Sequence, residues 1–321
     1  MIPPSGWVYN EDRIAAATER LAKAGYTLSF DADRPQMRGY WERQKTRGIT
    51  RVLAQDDEQK VRKELGLETP WRESNHQVRG TCVGQGSSRA IEDVHISRLA
   101  DKAIVGKYTQ IAYEVMYGNE RKEHWPKTHA WGCRCGNCPD GLQGTDAAEF
   151  YATRGVTPRR NYSEIGIDLT TPREDLAITW NNTGVPAVLI AAAAFHKIEC
   201  HRSMTWRDYA DPIAAKQWGH VCMPRIWSGT RVDRFGCCEP DGNGGHCTEC
   251  CGIVVLPSGE TAFVMQQSWG TACKYPVAVQ TVNGPVKMRP GSYAVRQSVL
   301  EGIGQQVELI SCDIPSRSSF R

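Results

Sequence analysis

Two apolar, strand-like runs, Cys251-Gly-Ile-Val-Val-Leu256 and Ala262-Phe-Val-Met-Gln-Gln267, flank a Pro257-Ser-Gly259 turn. Runs of this length, rich in β-branched and aromatic residues and separated by so few turn residues, predict neighbouring antiparallel strands. Upstream the periodicity is different. Val83, Ala90, Ile91, Val94 and Leu99 fall near the three-and-four spacing of a helix, with Arg89, Glu92, Asp93 and Arg98 expected on its wet face. Tyr108, Ile111, Ala112, Val115 and Met116 repeat that spacing and predict a second helix stopping at Gly118.

The first of these helices starts at Cys82, delivered by the polar stretch Asn75-His-Gln-Val-Arg-Gly-Thr81. A thiol at a helix start lies beside unpaired backbone N–H groups and the positive end of the helix dipole, and both favour thiolate over thiol. A lone cysteine in such a place is more often a small core residue, so its meaning depends on partners. Downstream, Gly244-Gly245-His246 opens the first strand-like run, and Gln267-Ser-Trp269-Gly270 closes the second.

Cysteine before a helix, Gly-His before a strand and Ser-Trp-Gly after the next resembles the papain-like cysteine peptidases. The resemblance spans roughly residues 70 to 300 and implies an α+β, two-lobed fold. In it, a helical lobe with the nucleophile Cys82 packs on an antiparallel β-rich lobe with His246. It implies that His246 is the general base, that Gln267 stands where the family has an imidazole-orienting asparagine, and that Trp269 shields that bond from water, with Cys82 and His246 in hydrogen-bond reach. Two departures matter. The family's oxyanion glutamine lies six residues before the cysteine, a position held here by His76, with Gln77 one residue later. Either side chain can present an N–H to an oxyanion beside the Cys82 amide. Gln267 offers the same acceptor as asparagine on a longer arm, with one more bond to immobilise. The resemblance also points to Gly141 as a substrate-pairing glycine, although Asp140-Gly141 replaces the usual Gly-Gly and an ordinary turn glycine is an equal reading.

Residues 1–68 form an N-terminal extension, residues 69–310 the papain-like domain and residues 311–321 a polar tail expected to be mobile. In the extension, Asn10 is expected to cap a helix with Ile14, Ala17 and Leu21 on one face and a stop at Gly25. A second helix should start at Asp56 with Val61 and Leu65 on one side, and Asp31 to Arg51 reads as turn-rich. Many papain relatives carry an inhibitory propeptide here. Its helical signature is not matched, and a structural extension is the reading adopted. Further on, Thr171-Pro-Arg-Glu174 predicts a capped helix reaching Trp180, Asp211 to Trp218 a short helix, and Gly291-Ser-Tyr-Ala-Val295 a closing strand.

With 39 basic against 36 acidic residues the formal charge is only +3, which recommends neither a nucleic-acid nor a membrane-surface partner. The N-terminus lacks a basic region followed by an apolar run, so no signal peptide is expected, and the longest apolar run, Val185 to Phe195, is far short of the ~20 residues of a span. A cytoplasmic or virion location follows. Thirteen cysteines are many for a reducing compartment. His129, Cys133, Cys135 and Cys138 have the spacing of a local zinc site, with disulfides or reduced thiols as the other readings. Cys237-Cys238 and Cys247-x2-Cys250-Cys251 form a second cluster.

Two functions fit. One is a thiol hydrolase cleaving peptide or amide bonds through Cys82, His246 and Gln267 with a peptide or protein substrate and no required cofactor; acyl transfer or deamidation would use the same thiol. The other is a catalytically drifted papain fold serving as a structural or interaction protein, such as a phage virion component beside other virion proteins.

Overall fold

A computed structural model describes residues 10–24, 29–30, 34–73, 77, 80–104, 108–124, 141–194, 196–270, 273–304 and 306–314. In chain order the elements are α1 (Glu11–Lys23), β1 (Ser29–Phe30), α2 (Tyr40–Thr46), β2 (Arg51–Leu53), α3 (Ala54–Glu64), α4 (Cys82–Ala100), α5 (Tyr113–His124), α6 (Gly144–Thr153), β3 (Asn161–Tyr162), β4 (Ile167–Asp168), α7 (Glu174–Thr183) and α8 (Ala187–Ala193). There follow β5 (Glu199–Ser203), α9 (Trp206–Ala214), β6 (Gly219–Ile226), β7 (Gly242–Val255), β8 (Thr261–Gln266), β9 (Ala278–Thr281), β10 (Gly284–Lys287), β11 (Ser292–Arg296), α10 (Gln297–Glu301) and β12 (Glu308–Asp313). The fold is α+β: helices α4 to α7 come first and an antiparallel sheet dominates the second half.

The main sheet runs β1-β5-β12-β6-β7-β8-β11, with β2 pairing β7. Strand β7 is its axis. It is 14 residues long, pairs β6 on one side and β8 on the other, and is buried from His246 to Val254, because α4 packs on it and α9 covers it as well. An apolar run buried on both faces explains why Cys251–Leu256 shows no polar alternation. The expected hairpin is present, with Ile253 opposite Phe263 and Val254 opposite Ala262.

Helix α4 departs from its expected pattern. Arg89, Glu92 and Asp93 are buried rather than wet, because the helix runs through the interior with α3, α5, α6, β6 and β7 around it. The two acids are matched by arginines from elsewhere. Arg72 donates from Nε to Glu58 (2.8 Å), from Nη1 to Glu92 (2.5 Å) and from Nη2 to Asp93. Arg289 donates to Glu58 (3.0 Å), Asp93 (2.6 Å) and Glu249 (2.9 Å). The cluster joins the extension, the central helix and the sheet in one buried network. Burial pushes the Glu249 carboxyl well up, whereas at Asp93 the Arg289 and Arg72 guanidinium groups overcome burial and hold the acid below its usual range.

The extension is part of the sheet. Strand β1 adds to β5 in parallel and β2 to β7 in antiparallel register, with Leu53 opposite Gly252. Helix α1 is capped by Asn10, whose Oδ1 accepts from Arg13 N at 3.0 Å, and it buries Ile14, Ala17 and Leu21 as expected. The Asp31–Arg51 stretch, expected to be turns, contains α2. Asp211 accepts from the amides of Gly39 (2.7 Å) and Trp41 (2.8 Å) and so satisfies donors at the start of that helix. Helix α3 starts at Ala54, not Asp56, and Leu65 is 57% exposed.

Other boundaries also move. Helix α5 passes through Gly118 instead of stopping there, because a Cβ at that position would lie 2.7 Å from Trp180 Cβ on α7; the glycine permits close helix packing. Helix α7 begins at Glu174 and reaches Thr183, since Arg173 N is drawn to Glu114 (2.6 Å) and Thr171 is left outside the helix. Helix α9 starts at Trp206 under a Thr205 cap, upstream of the expected Asp211. The tail expected from residue 311 is corrected as well: Ser311 and Cys312 are buried in β12, between β5 and β6, because Leu309, Ile310 and Cys312 belong to the core.

Candidate active site

Cys82 is the first residue of α4 and is 0% exposed. Thr81 precedes it without capping the helix; its hydroxyl donates to Glu174 Oε1 (2.6 Å), which also accepts from Gln85 Nε2 (3.0 Å). One turn on, a Cβ at Gly86 would lie 3.2 Å from Cys247 Sγ and 3.3 Å from the Thr248 carbonyl carbon. Lacking that atom, the first turn of α4 rests directly on β7 beside His246.

His246 is paired with Met223 of β6, and Gln267 follows the last residue of β8. Gln267 Oε1 makes a short hydrogen bond with His246 Nε2. The amide is oriented by its other end, since Gln267 Nε2 donates to the Trp227 carbonyl at 3.5 Å. A carbonyl oxygen only accepts, so the neutral imidazole carries its proton on Nε2, and the lone pair is on Nδ1, which has no hydrogen-bond partner. Trp269 stacks on the ring at 4.2 Å between centroids and 27°. Burial lowers the His246 pKa to about 4, against the Gln267 bond, which raises it. Nδ1 is not bonded to Cys82, so the expected hydrogen bond between nucleophile and base is not made in this structure.

Gln77 is tied to the end of the same strand. Its amide N donates to the Ser268 carbonyl (2.6 Å), and its Oε1 accepts from Ser268 Oγ (2.5 Å). With the carbonyl end held by Ser268, the NH2 group is the end directed away from it. His76, the other oxyanion candidate, and the metal candidates His129, Cys133, Cys135 and Cys138 lie outside the described residues. Gly141 sits ahead of α6 with φ +111° and its carbonyl accepting from Arg121 Nη1 (3.1 Å). That conformation favours glycine on backbone grounds alone, the turn reading of this residue.

The structure thus gathers His246, Gln267 and Trp269, holds Gln77 to Ser268, and sets the Cys82 end of α4 on the His246 strand. The Trp227 carbonyl and Glu174 were not read from the sequence. A main-chain acceptor leaves no residue signal, and Glu174 resembles any first-turn acid of a helix. Between α4 and the site strands lies a cavity of about 10 Å³, lined by Gln85, Gly86, Cys247, Gln267 and Ser268 among others. His246 and Trp269 are likewise fully buried, and Gln267 is 2% exposed.

No protein-family model matches the sequence, and no curated protein sequence does. Among solved structures, the chain is similar to xylellain, a cysteine protease from Xylella fastidiosa, at 15% identity and TM-score 0.51, covering 98% of this chain and 94% of that one. Fainter likenesses reach procathepsin B S9 from Trypanosoma congolense (11% identity, TM-score 0.44, 83% and 77% covered). They extend to bromelain from Ananas comosus (13%, TM-score 0.42, 83% and 99% covered). The fold is papain-like.

Proposed function

We propose that the chain is a papain-like thiol hydrolase acting on a peptide or amide bond. The observation that carries this reading is the bond from Gln267 to His246 Nε2 under Trp269, because it assigns the tautomer and leaves Nδ1 as the basic atom. Nδ1 takes the Cys82 proton as sulfur attacks the carbonyl, then returns it to the leaving amine. The Cys82 amide and the Gln77 NH2 donate to the oxyanion. Water next attacks the thioester, with Nδ1 again accepting the proton, and the acid leaves. No metal or organic cofactor enters the scheme. The absent hydrogen bond between Cys82 and Nδ1 is compatible with it, since such bonds are often long without substrate and tighten in the complex. The similarity to xylellain, described as a cysteine protease, supports a peptide or protein substrate.

A second reading is a drifted scaffold. It is favoured by the complete burial of Cys82 and His246 and by the low pKa of that imidazole, which opposes an imidazolium partner for a thiolate.

The test is labelling of Cys82 by an epoxide or chloromethyl ketone directed at active-site cysteines, read by mass at the Cys82 peptide between pH 5 and 8. Burial pushes the thiols of Cys222, Cys237, Cys238, Cys250 and Cys251 up, and their background reaction is slow. The hydrolase reading expects stoichiometric labelling with a low-pH shoulder, lost in Gln267→Ala and kept in Gln267→Asn. Equal, slow labelling in all three proteins, with a single pKa near the ~8.5 of free cysteine, would leave the scaffold.

A further inference from the structure

Helices α5 and α6 carry a group of side chains that the hydrolase scheme does not use. Glu120 and His124 are one turn apart on α5, so both project from the same face, and Glu149 faces them from α6. His124 Nε2 lies 3.6 Å from Glu120 Oε2 and 4.0 Å from Glu149 Oε1. One ligand atom from each of the three residues falls within 4.8 Å of the others. Four ligands at about 2.1 Å around a tetrahedral ion stand about 3.4 Å apart, so these atoms are within about 1.4 Å of that spacing.

The second observation is an orphaned oxygen. Glu120 is 2% exposed, and its Oε1 accepts from Asn119 Nδ2 at 3.2 Å, yet Oε2 has no hydrogen-bond partner among the described residues. A buried carboxyl oxygen aimed at an imidazole nitrogen beyond hydrogen-bond range lacks the partner that a buried polar atom requires. Neighbouring arginines do not supply it: Arg20 is spent on Glu149 (2.6 Å) and Arg154 faces Glu123 (3.7 Å). The three residues line a cavity of about 510 Å³, which leaves room for water as a fourth ligand.

We propose that Glu120, His124 and Glu149 form a binding site for a divalent transition-metal ion, with zinc as the best match to one imidazole and two carboxylates. Zinc accepts nitrogen and oxygen ligands in a four-coordinate shell, and its charge compensates the buried Glu120 carboxylate. Binding draws Glu149 partly away from Arg20 and ties α5 to α6. The site is separate from Cys82 and His246 and stands whether or not these catalyse.

The experiment uses the full chain, reduced and stripped with a chelator, and titrates zinc by calorimetry and cobalt by absorption. Wild type should bind an equivalent of metal that His124→Ala loses or binds about tenfold or more weakly. The corresponding cobalt spectrum should lack the sulfur charge-transfer band that thiolate ligands from the cysteine clusters produce. If His124→Ala does not fold by circular dichroism, the isosteric Glu120→Gln takes its place and should lose the same equivalent. Equal stoichiometry and affinity in wild type and the folded variant would overturn the site, as would loss confined to a thiolate-type signal.

Discussion

Replacing Arg289 by Met tests whether the buried charge network holds the lobes together. The guanidinium is 1% exposed and reaches Glu58 on α3, Asp93 on α4 and Glu249 on β7. Methionine fills much of the same volume, so the cavity cost is small and the change is mainly one of charge. Arg72 still compensates Glu58 and Asp93, but Glu249 loses its arginine altogether. Breaking a buried pair from one side costs about 3–5 kcal/mol, a large share of the roughly 5–15 kcal/mol that a folded protein has. At a slope of about 3 kcal/mol per molar urea, the unfolding midpoint should fall by about 1 M or more at pH 8. The pH dependence has a definite sign. In wild type Asp93 is held below its unfolded value, and the resulting stability is present above that value and lost on acidification. In the variant Asp93 loses one of its two guanidinium partners and rises, and Glu249, already pushed up by burial, rises further, so part of the stability that wild type loses on acidification is already missing and the deficit should narrow from pH 8 to pH 5. Adding Glu249→Gln should recover part of it in a double-mutant cycle. A midpoint within about 0.5 kcal/mol of wild type at pH 8, with no coupling to Glu249, would refute the claim that this network carries stability.

Three further outcomes follow. His246 and His220 are fully buried, and burial lowers each pKa to about 4; since both sit below the unfolded value of about 6.5, stability should be full above that pH and decline toward pH 4, by up to about 3 kcal/mol per histidine, and His220→Gln should flatten the urea-midpoint profile. Gly118→Ala should cost about 1–3 kcal/mol by thermal or urea unfolding, because the new methyl meets Trp180 at 2.7 Å. Asp211→Asn weakens the acceptor for the Gly39 and Trp41 amides and should lower stability by about 1 kcal/mol, with limited proteolysis reporting cuts in the extension first.

The parts legible in the sequence were local ones. His246 lies on the first of two strands joined by a short turn, and Gln267 and Trp269 directly follow the second, so a pattern of about 25 residues contains their whole geometry, and Cys82 announces its helix by the apolar spacing behind it. The parts misread depended on distant partners. The charges of Arg89, Glu92 and Asp93 look solvated along α4, and only Arg72, Arg289 and Glu249, up to about two hundred residues away, turn that face inward. Gly118 has the appearance of a helix stop because sequence does not show Trp180 pressing on it. Helix α2 is short and charged, with amides satisfied by Asp211 from another segment. In β12, Leu-Ile-Ser-Cys is too brief and too mixed to announce a strand whose neighbours are already buried.

The position of that last strand has a consequence for how the chain can be made. Strand β12, residues 308–313, lies between β5 and β6, so the sheet has a gap in its interior until that strand is in place. A ribosome exit tunnel hides the newest stretch of chain, so β5 and β6 emerge well before the strand that fills the gap between them. Until then β5 and β6 present open edges to any other strand in the cell. This topology cannot close its sheet ahead of β12, and exposed strand edges are the hazard its incomplete form carries.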